Sequence, residues 1–77
     1  MSPNPMTRIR KIACPELQTV QGTVLTQQVV EVSNGKVVDY YPLTRELPFT
    51  EWTSSRLRLC ENEEGALTLW NHKKPII

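Results

Sequence analysis

The dipeptide Asn34-Gly35 most constrains the fold, because it stands between two runs rich in β-branched residues, Val24 to Val32 and Lys36 to Tyr41. Asn and Gly both tolerate the positive φ angles that tight two-residue hairpin turns require. Asn-Gly flanked by such runs is the strongest short-range signal for a β-hairpin. The sequence therefore predicts two antiparallel strands joined at this turn.

Two registers are open for this hairpin. A two-residue loop pairs Val32 with Val37 and places Asp39 on the same face as the valines of the first strand. A three-residue loop ending in a bulge at Gly35 pairs Val32 with Lys36 instead. It collects apolar side chains on one face, namely Val30, Val32, Val38 and Tyr40. The second register is preferred, because a one-residue slip inverts the faces of one strand and this choice separates apolar from charged residues better.

Two further runs, residues 56–61 and 66–70, alternate apolar and polar side chains and flank the turn sequence Asn62-Glu63-Glu64-Gly65. This pattern predicts a second hairpin. Arg8 to Ala13 is predicted as another strand from its β-branched content. We expect Pro15 to end that strand, because proline cannot donate a hydrogen bond to a β-ladder.

These segments give about five short strands and no convincing helix, so the predicted class is all-β. An isolated hairpin is marginal in water, and the two hairpins must therefore pack on each other. A small barrel or a two-layer β-sandwich satisfies this requirement. The chain of 77 residues is one domain, predicted over residues 7–72, with residues 1–6 and 73–77 as flexible termini.

The charge and composition of the chain do not indicate a particular class of partner. The formal net charge is +1, which gives no long-range field to attract a polyanion. No stretch approaches the roughly 20 apolar residues of a membrane helix, and the N-terminus has no apolar signal region. We therefore expect a cytoplasmic protein with Cys14 and Cys60 as thiols, although in a secreted protein the same pair could form a disulfide.

Residues that carry chemistry are scarce. His72 is the only histidine and Asp39 the only aspartate, whereas a zinc site or a catalytic triad needs several such groups in a fixed arrangement. Ser54 and Ser55 lack the flanking glycines of a hydrolase nucleophile. The sequence therefore predicts no enzyme, no metal and no cofactor in this chain.

The segment from Pro42 to Trp52 is unusually apolar for a connection that contains two prolines. Its large side chains are a candidate partner surface: Leu43, Leu47, Phe49 and Trp52. They could instead form a lid that closes one end of the core. The lid is favoured, with Trp52 buried, because so small a domain can spare few large side chains.

The leading functional prediction is a non-catalytic module that binds another protein or a second copy of itself. The alternative is a small barrel that binds single-stranded nucleic acid through stacked aromatics and a basic groove. Its candidates are Tyr40, Tyr41, Trp52 and Trp70 with Arg8, Arg10, Arg56 and Arg58. A sequence pI near 7.8 disfavours this alternative, because such binders usually have a pI above about 9. A third possibility is an enzyme whose site a partner chain completes.

The segment from Gln28 to Pro42 resembles the hairpin that opens many amidohydrolase-type metal-dependent hydrolases. Together with Gln27 before it, this segment has the sequence QQVVEVSNGKVVDYYP. In that family the hairpin belongs to a small β-sandwich domain outside the catalytic barrel. The chain lacks the His-x-His motif that follows in those enzymes, so the resemblance implies an accessory fold without their activity. The chain, with Tyr-Tyr-Pro-Leu-Thr and Pro-Phe-Thr-Glu-Trp, is also similar to short bacterial proteins without an assigned function.

Overall fold

A computed structural model describes residues 9–45, 48, 50–71 and 74–76 of the chain. All regular secondary structure in these residues is β-strand, which confirms the predicted all-β class. The strands in this part of the chain are β1 Arg10–Gln18, β2 Val24–Ser33, β3 Lys36–Pro42, β4 Thr50–Trp52, β5 Leu57–Glu61, β6 Leu67–Asn71 and β7 Lys74–Pro75.

The strands form one mixed sheet with the order β3-β2-β1-β5-β6-β7, and β4 pairs with β1 beside that path. Both predicted hairpins are present, as β2–β3 and β5–β6. Strand β1 is antiparallel to β2 but parallel to both β4 and β5. The sheet curls until β3 contacts β6, yet it does not close into a barrel. The sandwich-like alternative of the two predicted architectures therefore fits the structure.

The hydrophobic core lies on the inner side of this curled sheet. Its buried members come from β1, β2, β5 and β6 and are Ile12, Cys14, Leu17, Val30, Val32, Leu57, Leu59 and Leu69. Val37, Tyr40 and Ile76 pack against this cluster. Full burial of each aliphatic side chain contributes about 1.5–3 kcal/mol. The core is thus built from small and medium aliphatic residues, with one tyrosine at its margin.

The β2–β3 hairpin departs from the preferred register. Val32 pairs with Val37 across a two-residue turn, as in the register that was not preferred, and then the register shifts so that Val30 faces Tyr40. The extra residue is Val38, which is 54% exposed. Val37 and Tyr40 are three residues apart, so strict alternation cannot direct both side chains to the core. A bulge at Val38 allows both of them to pack there.

Pro15 does not end β1, contrary to the sequence prediction. The Thr53 N–H donates to the Ala13 carbonyl at 3.0 Å, on the side of β1 away from β2. By the two-residue period of a strand, the N–H that Pro15 lacks would point to that same side. Gln27 lies opposite Pro15, and its carbonyl likewise points away from β1. That carbonyl accepts a hydrogen bond from the Leu43 N–H at 2.8 Å. The β1–β2 ladder therefore loses no hydrogen bond at the proline.

The C-terminal segment is more structured than predicted. Residues 73–77 were expected to form a flexible tail, but Lys74 and Pro75 pair with β6 as β7. The Ile76 N–H donates to the Leu69 carbonyl at 2.8 Å, and the Ile76 side chain packs against the core. The β domain thus extends to residue 76, and the predicted N-terminal tail, residues 1–6, lies outside the described residues.

Candidate functional site

On the side away from β2, strand β1 pairs with one strand in its first half and with another strand in its second half. Its residues 11–13 pair with β4 and its residues 17 and 18 pair with β5. Residues 14–16, with Pro15 in the middle, have neither strand beside them. The result is a notch in the sheet between the end of β4 and the start of β5.

One ion pair lies on each side of this notch. Arg10 donates from Nε and Nη2 to the two carboxylate oxygens of Glu51, both at 2.8 Å, and so links β1 to β4. Arg56 donates from Nε to Glu16 Oε1 at 3.0 Å and links β1 to the residue before β5. The Arg10 hydrogen bond lowers the pKa of Glu51. Exposed pairs of this kind each contribute at most about 1 kcal/mol, so they add only modestly to the strand pairing on either side of the notch.

The notch opens into a groove of about 310 Å³. The part of the chain that the structure describes lines it with uncharged residues, namely Ala13, Cys14, Pro15, Gln27, Leu43, Trp52, Thr53 and Ser54. A volume near 300 Å³ is at the lower end of ligand pockets. Pro15 and Gln27 were not predicted as site residues. Gln27 has φ = 48°, a left-handed conformation that is uncommon outside glycine and that nothing in the sequence signals.

Trp52 is 60% exposed, so the prediction of a buried lid residue is wrong. It ends β4, where it pairs with Ala13 of β1. The aliphatic cluster already fills the core, and β4 is an added strand beside it rather than a cap over it. Leu43 is half-buried and lines the same groove as Trp52. The other two residues of the predicted partner surface, Leu47 and Phe49, lie outside the described residues.

Trp52 also belongs to a row of residues that crosses four strands on the outer face of the sheet. Partner residues in adjacent strands share a face, and the registers align Trp52, Ala13, Val29 and Tyr41 in that order. Ala13 and Val29 are buried although neither belongs to the core cluster. An apolar strip thus runs across the outer face, with an aromatic residue at each end.

Cys14 contributes a buried thiol to the groove lining. Its Sγ donates to the Gln28 carbonyl at 3.7 Å, and burial raises the pKa of the thiol to about 11. The thiolate is the nucleophilic form of cysteine, so Cys14 is protonated and weakly reactive at neutral pH. Cys14 and Cys60 are both free cysteines in the structure.

The residues considered for nucleic-acid binding do not gather in one place. Tyr40 packs against the core, and the Tyr41 hydroxyl donates to Glu31 at 2.6 Å. Trp70 lines a different groove of about 240 Å³, where its Nε1 donates to Thr68 Oγ1 at 3.0 Å. Two of the four arginines, Arg10 and Arg56, are engaged in the ion pairs with Glu51 and Glu16. Arg8 lies outside the described residues.

Within the described ranges, no three side chains of the metal-ligating types cluster, and no helix is long and apolar enough to cross a membrane. Comparisons with known proteins place the chain in no family: no family model matches it, and no match is found among curated proteins or solved structures.

Proposed function

We propose that this domain is a non-catalytic module that binds another protein through the groove beside Trp52. The observation that carries the proposal is the 60% exposure of Trp52 at a groove that it shares with Leu43 and Pro15. A small domain has few large side chains with which to build a core. An exposed indole beside an apolar groove is typical of the residues that dominate protein–protein binding energy.

The chemistry of the groove supports binding rather than catalysis. Among the described residues that line it, the one ionisable side chain is Cys14, whose thiol has a pKa of about 11. General acid–base catalysis works best with a group whose pKa lies near the operating pH. The hydroxyl and amide groups of Thr53, Ser54 and Gln27 can form hydrogen bonds with a partner. The proposal does not depend on the resemblance to amidohydrolase accessory domains, which stays a prediction.

A selection from a random peptide library displayed on phage tests the proposal. The immobilised wild-type domain should enrich related sequences, and Trp52→Ala should not retain them. Val38→Ala is the matched control, because Val38 is also an exposed apolar residue (54%) but does not line the groove. Enrichment of no sequence family by the wild-type domain, or equal retention by Trp52→Ala, would contradict the proposal.

A further inference from the structure

We infer that the partner segment bound by the Trp52 groove is an extended, uncharged, proline-rich peptide in the polyproline II conformation. This inference rests on the proposed function and names the chemistry of its ligand. Three properties of the groove support it: its charge, its hydrogen-bond donors and the absence of a ladder donor at Pro15.

The described residues that line the groove present no charge to its ligand. The eight lining residues that the structure describes are uncharged at neutral pH, since the Cys14 thiol is protonated. The ion pairs on the two sides of the notch, Arg10 with Glu51 and Arg56 with Glu16, neutralise their own charges. Desolvating an unpaired charge in such a place is costly. An uncharged segment is therefore favoured over an acidic peptide or a phosphate backbone.

The groove offers donors beside an aromatic surface. Among the described residues, none accepts a hydrogen bond from the Trp52 indole N–H, whereas the Trp70 indole is bound to Thr68. Thr53 Oγ1 accepts from the Ser55 N–H at 3.2 Å and keeps its own proton for donation. A polyproline II segment has no internal hydrogen bonds, so its carbonyls need such donors. Recognition of proline-rich segments in aromatic-lined grooves follows this pattern.

The notch is poorly suited to the other common way of binding an extended peptide, addition of a β-strand. A strand added along residues 14–16 would need main-chain donors from β1. Pro15 lies at the centre of that stretch, and its missing N–H is on the notch side, where the Ala13 carbonyl binds Thr53. A ligand that relies on side-chain donors and ring stacking avoids this loss.

The test is an NMR titration of the ¹⁵N-labelled full chain. One ligand is a ten-residue peptide rich in proline, and the control is a peptide of equal length and charge with glycine and serine in place of proline. The indole signals of Trp52 and Trp70 are assigned with Trp70→Phe. We expect the proline-rich peptide to shift the Trp52 indole signal saturably and to leave Trp70 in place. Trp52→Ala should weaken binding about 30-fold, the loss typical of a tryptophan hot spot.

A saturable shift that depends on proline supports the inference. Equal shifts with the glycine–serine peptide, no shift at millimolar peptide, or a stronger response to a short oligothymidylate would each overturn it. Failure of the inference is distinguishable from failure of the proposed function. If the phage selection returns proline-free sequences that require Trp52, the groove binds proteins but the assigned ligand chemistry is wrong.

Discussion

Trp52 lies opposite Ala13 in the parallel ladder between β4 and β1, so an exposed indole stands next to a buried methyl group. Ala13 is 1% exposed and Trp52 is 60% exposed. The position of Trp52 follows from the pairing of β4 with β1, not from packing against the core. The Trp52 indole is therefore part of the protein surface and not of the core.

The first expectation concerns the stability of Trp52→Ala. Because most of the indole is in solvent, the substitution should lower the free energy of unfolding by less than about 1.5 kcal/mol. Leu57→Ala, at a fully buried position, should lower it by about 2–5 kcal/mol. Urea denaturation followed by circular dichroism measures both. Equal losses for the two variants would show that Trp52 is a core residue.

The second expectation concerns the ion pair that holds β4. The Arg10 hydrogen bonds lower the pKa of Glu51 in the folded state. Glu51 therefore adds stability above its unfolded pKa, and that contribution is lost as the pH falls through the lower, folded pKa. In a ¹³C NMR titration of the side-chain carboxyls, Arg10→Ala should raise the pKa of Glu51. An unchanged pKa would mean that the pair does not form in solution.

The third expectation concerns the hydroxyl of Tyr41. Its hydrogen bond to Glu31 raises the pKa from 10.0 to about 12. The bond favours the protonated phenol, so its contribution to stability is present below pH 10 and is lost as the pH rises through about 12. Ultraviolet titration of tyrosinate in the Tyr40→Phe variant isolates this group. Glu31→Gln in that background should lower the apparent pKa; no change would contradict the hydrogen bond.

The fourth expectation concerns the two thiols. Without reductant, alkylation of the denatured protein should add two groups by intact mass, because Cys14 and Cys60 are both free. In the native protein at pH 7, Cys14 should react far more slowly than Cys60, since it is buried and its thiol has a pKa of about 11. Absence of adducts in the denatured protein would indicate a disulfide, and faster reaction at Cys14 would contradict its burial.

The hairpins could be predicted because their signals are local. The Asn34-Gly35 turn has φ angles of 53° and 75°, and the side chain of Asn62 closes the second turn by accepting from the N–H groups of Glu64 and Ala66. Residue types at these turns determine their conformation with little help from distant contacts. The sequence was therefore sufficient to place both β2–β3 and β5–β6.

The register and the strand partners could not be predicted, since they depend on tertiary contacts. The bulge at Val38 exists because Val37 and Tyr40 both pack on a core supplied by other strands. Cys14 and Leu17 are three residues apart in β1, and both side chains pack in that core. The alternation expected of a strand is therefore broken in β1 as well. Such exceptions become visible only when the packing partners are known.

Only part of the candidate site could be predicted from the sequence. The apolar composition of residues 42–52 marked Leu43 and Trp52 as unusual, and both line the groove. The sequence instead predicts Pro15 as the end of a strand, because its place in the unpaired stretch of β1 depends on where β4 ends and β5 begins. The exposure of Trp52 likewise depends on a three-residue strand, β4, that is too short to be recognised from its sequence.

The most direct test of the account is NMR mapping of the surface used by a peptide recovered from the phage selection. We expect the largest saturable shifts at the Trp52 indole and at the main-chain amides of Gln27, Thr53 and Ser54, which line the groove. Signals from Trp70, in the other groove, should stay in place. Shifts centred on Trp70, or spread over β3 with the Trp52 indole unaffected, would contradict the claim that this groove is the binding surface.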